Sequence, residues 1–247
     1  MLLSAISSLV FPLQTSETNK LEVPKDMKLF LLVGQSNMAG RGKIEPSDQV
    51  TNPRILMLNK KMEWVLAKDP VHFDKPGMAK VGLCSEFARM QVGKDDKIVV
   101  GLIPCAFGGT KLDQWMPSDK PNSLYRNAID RAKLAMQSGT LAGILWHQGE
   151  SDSEDPKLVE TYAERFALMM VQMRKDLNAE NVPVIVGELR GDVPFNKVVR
   201  ALPDKVPRCA WVSSEGLGSG DVHFDAEGYR TLGKRYADKY FTTNNME

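Results

Sequence analysis

The sequence predicts an α/β domain in which helices cover both faces of a mostly parallel β-sheet. Short apolar runs rich in aliphatic and β-branched residues recur along the chain, each uninterrupted rather than alternating. An uninterrupted run suits a strand covered on both sides, because successive side chains point to opposite faces and both are dry. Segments with apolar residues at spacings of three and four lie between these runs, and strand and helix alternate to the end.

The first strand is expected over Met27–Val33 and stops at Gly34. Comparable runs occupy Arg54–Leu58, Lys97–Ile103, Leu141–Trp146, Val182–Leu189 and Cys209–Val212. Helices are expected over Ser85–Val92, Ser123–Gln137, Pro156–Leu177, Asn196–Leu202 and Asp225–Tyr240. The longest carries Pro156 in its first turn, where a missing N–H costs nothing, and Asp155 stands ready to cap it. Its apolar face reads Leu158, Tyr162, Phe166, Met169 and Met173. No repeat or low-complexity block interrupts the pattern, so one domain is expected over 27–242, after an N-terminal segment of 1–26 and before a short tail of 243–247.

The chain has 247 residues, 43% of them hydrophobic and 26% charged, enough for a sizeable core. Thirty-two basic and 31 acidic side chains leave a formal net charge of +1. With the basic residues scattered, that balance argues against a nucleic-acid partner, which needs a basic excess or stripe. No apolar run reaches the roughly 18–20 residues of a membrane span. Met1–Leu13 is apolar and Ser-rich like the core of a secretory signal, although a basic start and a small-residue cleavage site are missing. Export to a secreted or periplasmic location is the expectation, with a cytoplasmic one as the alternative. Cys84, Cys105 and Cys209 are an odd set without a C-x-x-C pair and read as small buried hydrophobes, with a Cys84–Cys105 disulfide left open.

In open parallel sheets ligands bind beyond the carboxyl ends of strands, so the residues after each run hold the candidates. After the first run comes Gly34-Gln35-Ser36-Asn37-Met38-Ala39-Gly40-Arg41. There Ser36 could present a nucleophilic hydroxyl at a strand-to-helix turn, beside unpaired N–H groups able to receive an oxyanion. An ordinary Ser cap is the alternative. Gly220-Asp221-Val222-His223 precedes the final helix, with Asp225 as its cap. In extended chain Asp221 and His223 share a face, as an acid orienting a serine-activating base requires. Trp146-His147-Gln148-Gly149-Glu150-Ser151-Asp152 offers an amide donor in Gln148 and a second acid in Glu150. The stretch Phe107-Gly108-Gly109-Thr110 allows close backbone approach to a bound group, and Trp115 downstream could back a sugar ring or simply pack.

These four motifs, in this order, resemble the SGNH/GDSL hydrolase superfamily. Within it they are most similar to the acetylesterases of carbohydrate esterase family six and the sialate O-acetylesterase-like group. The resemblance spans about Leu29–Tyr240 and implies a three-layer α/β/α sandwich of SGNH or flavodoxin-like type. It further implies a Ser-His-acid site with no metal or other cofactor, removing acetyl groups from sugars, often on xylan. Carried over, Ser36 matches the nucleophile, His223 the base, Asp221 the acid and Glu150 a second or alternative acid. The oxyanion hole would comprise the Ser36 N–H, Gly108 or Gly109, and the Gln148 side chain. Two departures stand out: acid and base are spaced Asp-x-His rather than Asp-x-x-His, and Gln148 replaces the usual Asn, as in the sugar-esterase branch.

Arg41 could orient a substrate oxygen or form an ion pair, and His72 is expected in a solvated loop. Trp64 suits a packed strand, and the 13 methionines suit core filling. Two rival readings are a metal-dependent hydrolase using Asp221, His223, Asp225 and His147, and a non-catalytic carbohydrate-binding domain.

Overall fold

A computed structural model describes residues 22–218 and 222–244. The expected N-terminal leader and Asp221 therefore lie outside the described residues. Seven strands form one sheet: β1 (Met27–Gly34), β2 (Ile55–Leu58), β3 (Trp64–Leu66), β4 (Val100–Pro104), β5 (Gly139–His147), β6 (Val184–Gly187) and β7 (Cys209–Val212). Their order is β3-β2-β4-β1-β5-β6-β7, and every neighbouring pair is parallel except β2–β3.

β1 explains why its sequence is apolar throughout. Leu29, Leu31 and Val33 point into one core layer, whereas Phe30 and Leu32 point into the other. The first layer is closed by α3 (Leu124–Ala135), α4 (Pro156–Asp176) and α5 (Asn196–Ala201) through Tyr125, Ile129, Phe166, Met170 and Val199. The second is closed by α2 (Cys84–Lys94) and α6 (Ala226–Asn244) through Phe87, Leu232 and Tyr236. A short helix, α1 (Ser36–Ala39), follows β1 directly. The architecture is the expected α/β/α arrangement.

The helix starts follow the sequence signals. Asp155 accepts the Lys157 N–H at 3.0 Å with Pro156 at the first position, Ser123 accepts that of Arg126 at 3.2 Å, and Asp225 accepts that of Gly228 at 2.7 Å. Trp64 packs beside Gly101 in the sheet, where a side chain on the glycine would press on Trp64 and Leu29. All three cysteines are free thiols, so the disulfide left open in the sequence does not form. Among the described residues no helix is long and apolar enough to cross a membrane.

His72 departs from expectation. It is 3% exposed, and burial lowers its pKa to about 4, so it is a neutral interior side chain rather than a solvated loop residue.

Candidate active site

β1 sits at the centre of the sheet, and the chain leaves it on opposite sides toward β4 and β5. A crevice opens at the carboxyl ends where the order reverses. The turn out of β1 depends on Gly34, whose φ of 131° is unfavourable for other residues and whose added Cβ would collide with the His147 carbonyl oxygen. That turn sets Ser36 as the first residue of α1, 8% exposed.

His223 reaches it from the segment before α6. Its Nε2 lies 3.0 Å from the Ser36 Oγ, although the two residues are 187 apart in sequence. In the tautomer with Nε2 unprotonated, this contact lets the ring accept the serine proton. The segment carrying His223 is tied down by Asn37. The Asn37 Nδ2 donates to the Val222 carbonyl at 2.9 Å and to the Glu150 Oε1 at 2.5 Å, and its Oδ1 accepts from the Tyr229 hydroxyl at 2.6 Å. Asn37 is completely buried, so this one amide links α1, the β5 exit, the His223 segment and α6.

Glu150 lines the same cavity as Ser36 and His223. Burial pushes its carboxyl above the usual range, with the Asn37 hydrogen bond acting in the opposite direction. Its Oε2 has no hydrogen-bond partner among the described residues.

The cavity, about 490 Å³, is also lined by Arg41, Gly108 and Gly109, with Lys75, Lys111 and Glu154 toward its mouth. Gly108 approaches Ser36 closely: a Cβ added there would stand 3.4 Å from that of Ser36. Its N–H, however, is occupied. Asp74 Oδ2 accepts it at 2.9 Å and also takes the Arg41 Nη2 at 2.7 Å. Burial works to raise the Asp74 carboxyl, yet Arg41 and the Gly108 N–H hold it below its ordinary range. Arg41, which also donates to the Gly40 carbonyl at 2.7 Å, is thus an ion-pair partner in the cavity wall. Gly109 adopts a left-handed φ of 79° that suits glycine.

Two expected roles need correction. Gln148 is 1% exposed and its amide is fully engaged. Its Nε2 faces the Thr110 carbonyl at 2.9 Å, Asp152 Oδ2 at 2.6 Å and Gln35 Oε1 at 3.2 Å, while its Oε1 accepts from Tyr162 at 2.7 Å. Two N–H hydrogens facing three buried acceptors leave none for an oxyanion. Gln148 instead braces the loops after β4 and β5. Trp115 is completely buried, edge-on to Trp146 at 5.6 Å. Its Nε1 donates to Thr110 Oγ1 at 3.0 Å, and that hydroxyl donates to the Phe107 carbonyl at 2.8 Å. Trp115 therefore shapes the glycine loop from behind and presents no face to a sugar.

Sequence reasoning passed over Asn37 and Asp74. Asn37 follows Ser36 in a turn that the fold buries, and a polar residue there needs buried partners. Asp74 gave no local signal. His147, with Nδ1 3.0 Å from the Tyr236 hydroxyl, is held by burial at a pKa of about 3 inside the core. Among the described residues no three His, Cys, Asp or Glu gather at metal-binding spacing.

Comparison with known proteins follows this geometry. A probable carbohydrate esterase of Arabidopsis thaliana is 31% identical over 243 residues, covering 87% of this chain and 90% of that protein. An Arabidopsis thaliana X-ray structure superposes with a TM-score of 0.79 at 29% identity, across 89% of this chain and 98% of its own. NanS shares the fold, with a TM-score of 0.73 at 15% identity over 90% and 98% of the two chains. The family model described as carbohydrate esterase, sialic acid-specific acetylesterase matches residues 26–242. That match begins just before β1 and ends inside α6, taking in every strand and the whole cavity, and the chain belongs to this carbohydrate esterase family.

Proposed function

We propose that the protein is a serine esterase that removes O-acetyl groups from carbohydrates through an acetyl-enzyme. The observation that carries this reading is the 3.0 Å contact between Ser36 Oγ and His223 Nε2. In the first step His223 takes the Ser36 proton as Oγ bonds to the acetyl carbon. The tetrahedral intermediate collapses as the carbon–sugar oxygen bond breaks, and His223 protonates the departing sugar oxygen. Water then attacks the acetyl-enzyme, its proton passing to His223 and back to Ser36 as acetate leaves. A positioned base contributes about 10²–10⁴-fold. Each oxyanion donor contributes about 10²–10³-fold.

The donors in this reading are the Ser36 and Gly109 N–H groups, joined by that of Gly108 when Asp74 yields its place. The acid that orients His223 is Asp221 or Glu150. Replacing each by its amide separates them: the larger fall in kcat marks the acid, and a deeper loss in Glu150→Gln assigns the role to Glu150.

Acetylated xylan is one substrate class for such a site. O-acetyl sialic acid is the second reading, supported by the family description, with Lys75 and Lys111 available to an anionic sugar beside Glu154 at the mouth. Comparing acetylated xylan, acetylated glucose and O-acetyl sialic acid discriminates between them. The mechanism itself is tested by Ser36→Ala, which should nearly abolish p-nitrophenyl acetate turnover, and by a serine-directed phosphonate, which should label Ser36 alone. Full activity in Ser36→Ala overturns it.

A further inference from the structure

A second cavity, about 540 Å³, lies beside the first. Phe107 and Asp74 line it, whereas their chain neighbours Gly108 and Lys75 line the cavity with Ser36. One ridge of backbone therefore divides two adjoining spaces. The Lys75 Nζ stands 6.0 Å from the Phe107 ring centre on this ridge, and Phe107 is 40% exposed there.

The second cavity has the makings of a sugar site. Its wall holds two phenyl rings, Phe107 and Phe73, the latter backed by the Arg131 guanidinium at 4.9 Å from the ring centre. Its rim holds Asn122 just before α3 and Asn127 and Asp130 on that helix, all exposed, with Asp130 also paired to Arg126 Nε at 2.9 Å. Neither asparagine amide is engaged with another described residue, so both are available as paired donors and acceptors. Two buried polar atoms in the wall, Arg131 Nε and His72 Nε2, also have no hydrogen-bond partner. Apolar rings beside a few unengaged polar groups are what a pyranose needs: its C–H face meets the ring and its hydroxyls meet the amides.

We propose that this cavity is a subsite for a neutral pyranose unit adjoining the acetylated one, so that the substrate is an oligosaccharide crossing the Phe107–Gly108 ridge. This rests on the esterase reading for its place in catalysis, although the sugar site can be measured without it. The amides and Asp130 would bind hydroxyls, and the ridge would hold the linkage. Chain length, rather than the acetylated unit alone, would then set affinity.

Calorimetric titration of the full chain with unacetylated tetraoses of xylose, mannose, glucose and N-acetylglucosamine tests this. At least one should bind, and Asn127→Ala and Asp130→Ala should each weaken that binding tenfold or more with thermal melting unchanged. Both positions are exposed on a helix that alanine favours, so the variants should fold. Binding by none of the four, or binding unchanged in both variants, overturns the subsite. Ester hydrolysis is scored separately on the unsubstituted protein. Sugar binding lost in the variants, without Ser36 labelling or ester turnover, would retain the subsite and remove the esterase reading.

Discussion

Replacing Asn37 by Ala tests how the His223 segment is held. The change removes three hydrogen bonds, to Glu150 at 2.5 Å, Val222 at 2.9 Å and Tyr229 at 2.6 Å. Val222 is 58% exposed, so its carbonyl can turn to water. Tyr229 is completely buried and the Glu150 carboxyl is desolvated, so these two groups lose partners that water cannot replace. At about 1–3 kcal/mol for each orphaned group, the loss is about 2–6 kcal/mol. That is a large part of the 5–15 kcal/mol typical of a domain. Urea unfolding at pH 7 should show it as a lower midpoint at unchanged slope. The freed His223 segment should also lower kcat by about 100-fold with little change in KM, the effect of a misplacement near 1 Å. Tyr229→Phe, which orphans only the buried Asn37 Oδ1, should cost about 1–3 kcal/mol, the lower part of that range. A loss below 1 kcal/mol in Asn37→Ala, with kcat intact, would refute the tether.

Other substitutions probe the cavity wall and the interior. Arg41→Met should destabilise the protein by about 3–5 kcal/mol, because it strands a carboxylate whose side chain is wholly inaccessible. Adding Asp74→Leu should recover most of that, and thermal melting of both variants checks it. Asp69 is a buried carboxyl whose pKa is raised to about 6, chiefly by burial. A raised pKa gives stability that is complete below the unfolded value of 3.8 and disappears as pH climbs through about 6. The stability of Asp69→Asn relative to the parent should therefore rise by roughly 1 kcal/mol between pH 5 and pH 8. An unchanged or falling difference in urea midpoints would contradict that assignment.

Much of this fold was legible because its causes are local. β1 declared itself through five consecutive apolar residues, since two dry faces leave no polar position between Leu29 and Val33. Asp155 with Pro156, and Asp225 before α6, marked helix starts by capping chemistry that needs no distant partner. Ser36 and His223 were singled out by type and place, each beside a turn, and their side chains stand 3.0 Å apart. Other features depended on segments remote in sequence. The Gln148 amide is oriented by Thr110, Asp152 and Tyr162, and no spacing rule tells which acceptors an amide will meet. Trp115 lies close to the glycine loop in sequence, but the Trp146 edge that buries it comes from another strand. His72 sits in a polar stretch of sequence that tertiary packing turns inward. The short antiparallel strand β3 has three residues, too few for a periodicity to register.

The 187 positions between Ser36 and His223 also separate them in time. At about 5–20 residues per second, a ribosome makes the serine roughly 10–40 s before the histidine. During that interval the emerging chain can pair β1 with β4 and β5 while the Ser36 hydroxyl has no imidazole beside it. The contact between hydroxyl and imidazole therefore forms only after the segment before α6 has been synthesised and docked.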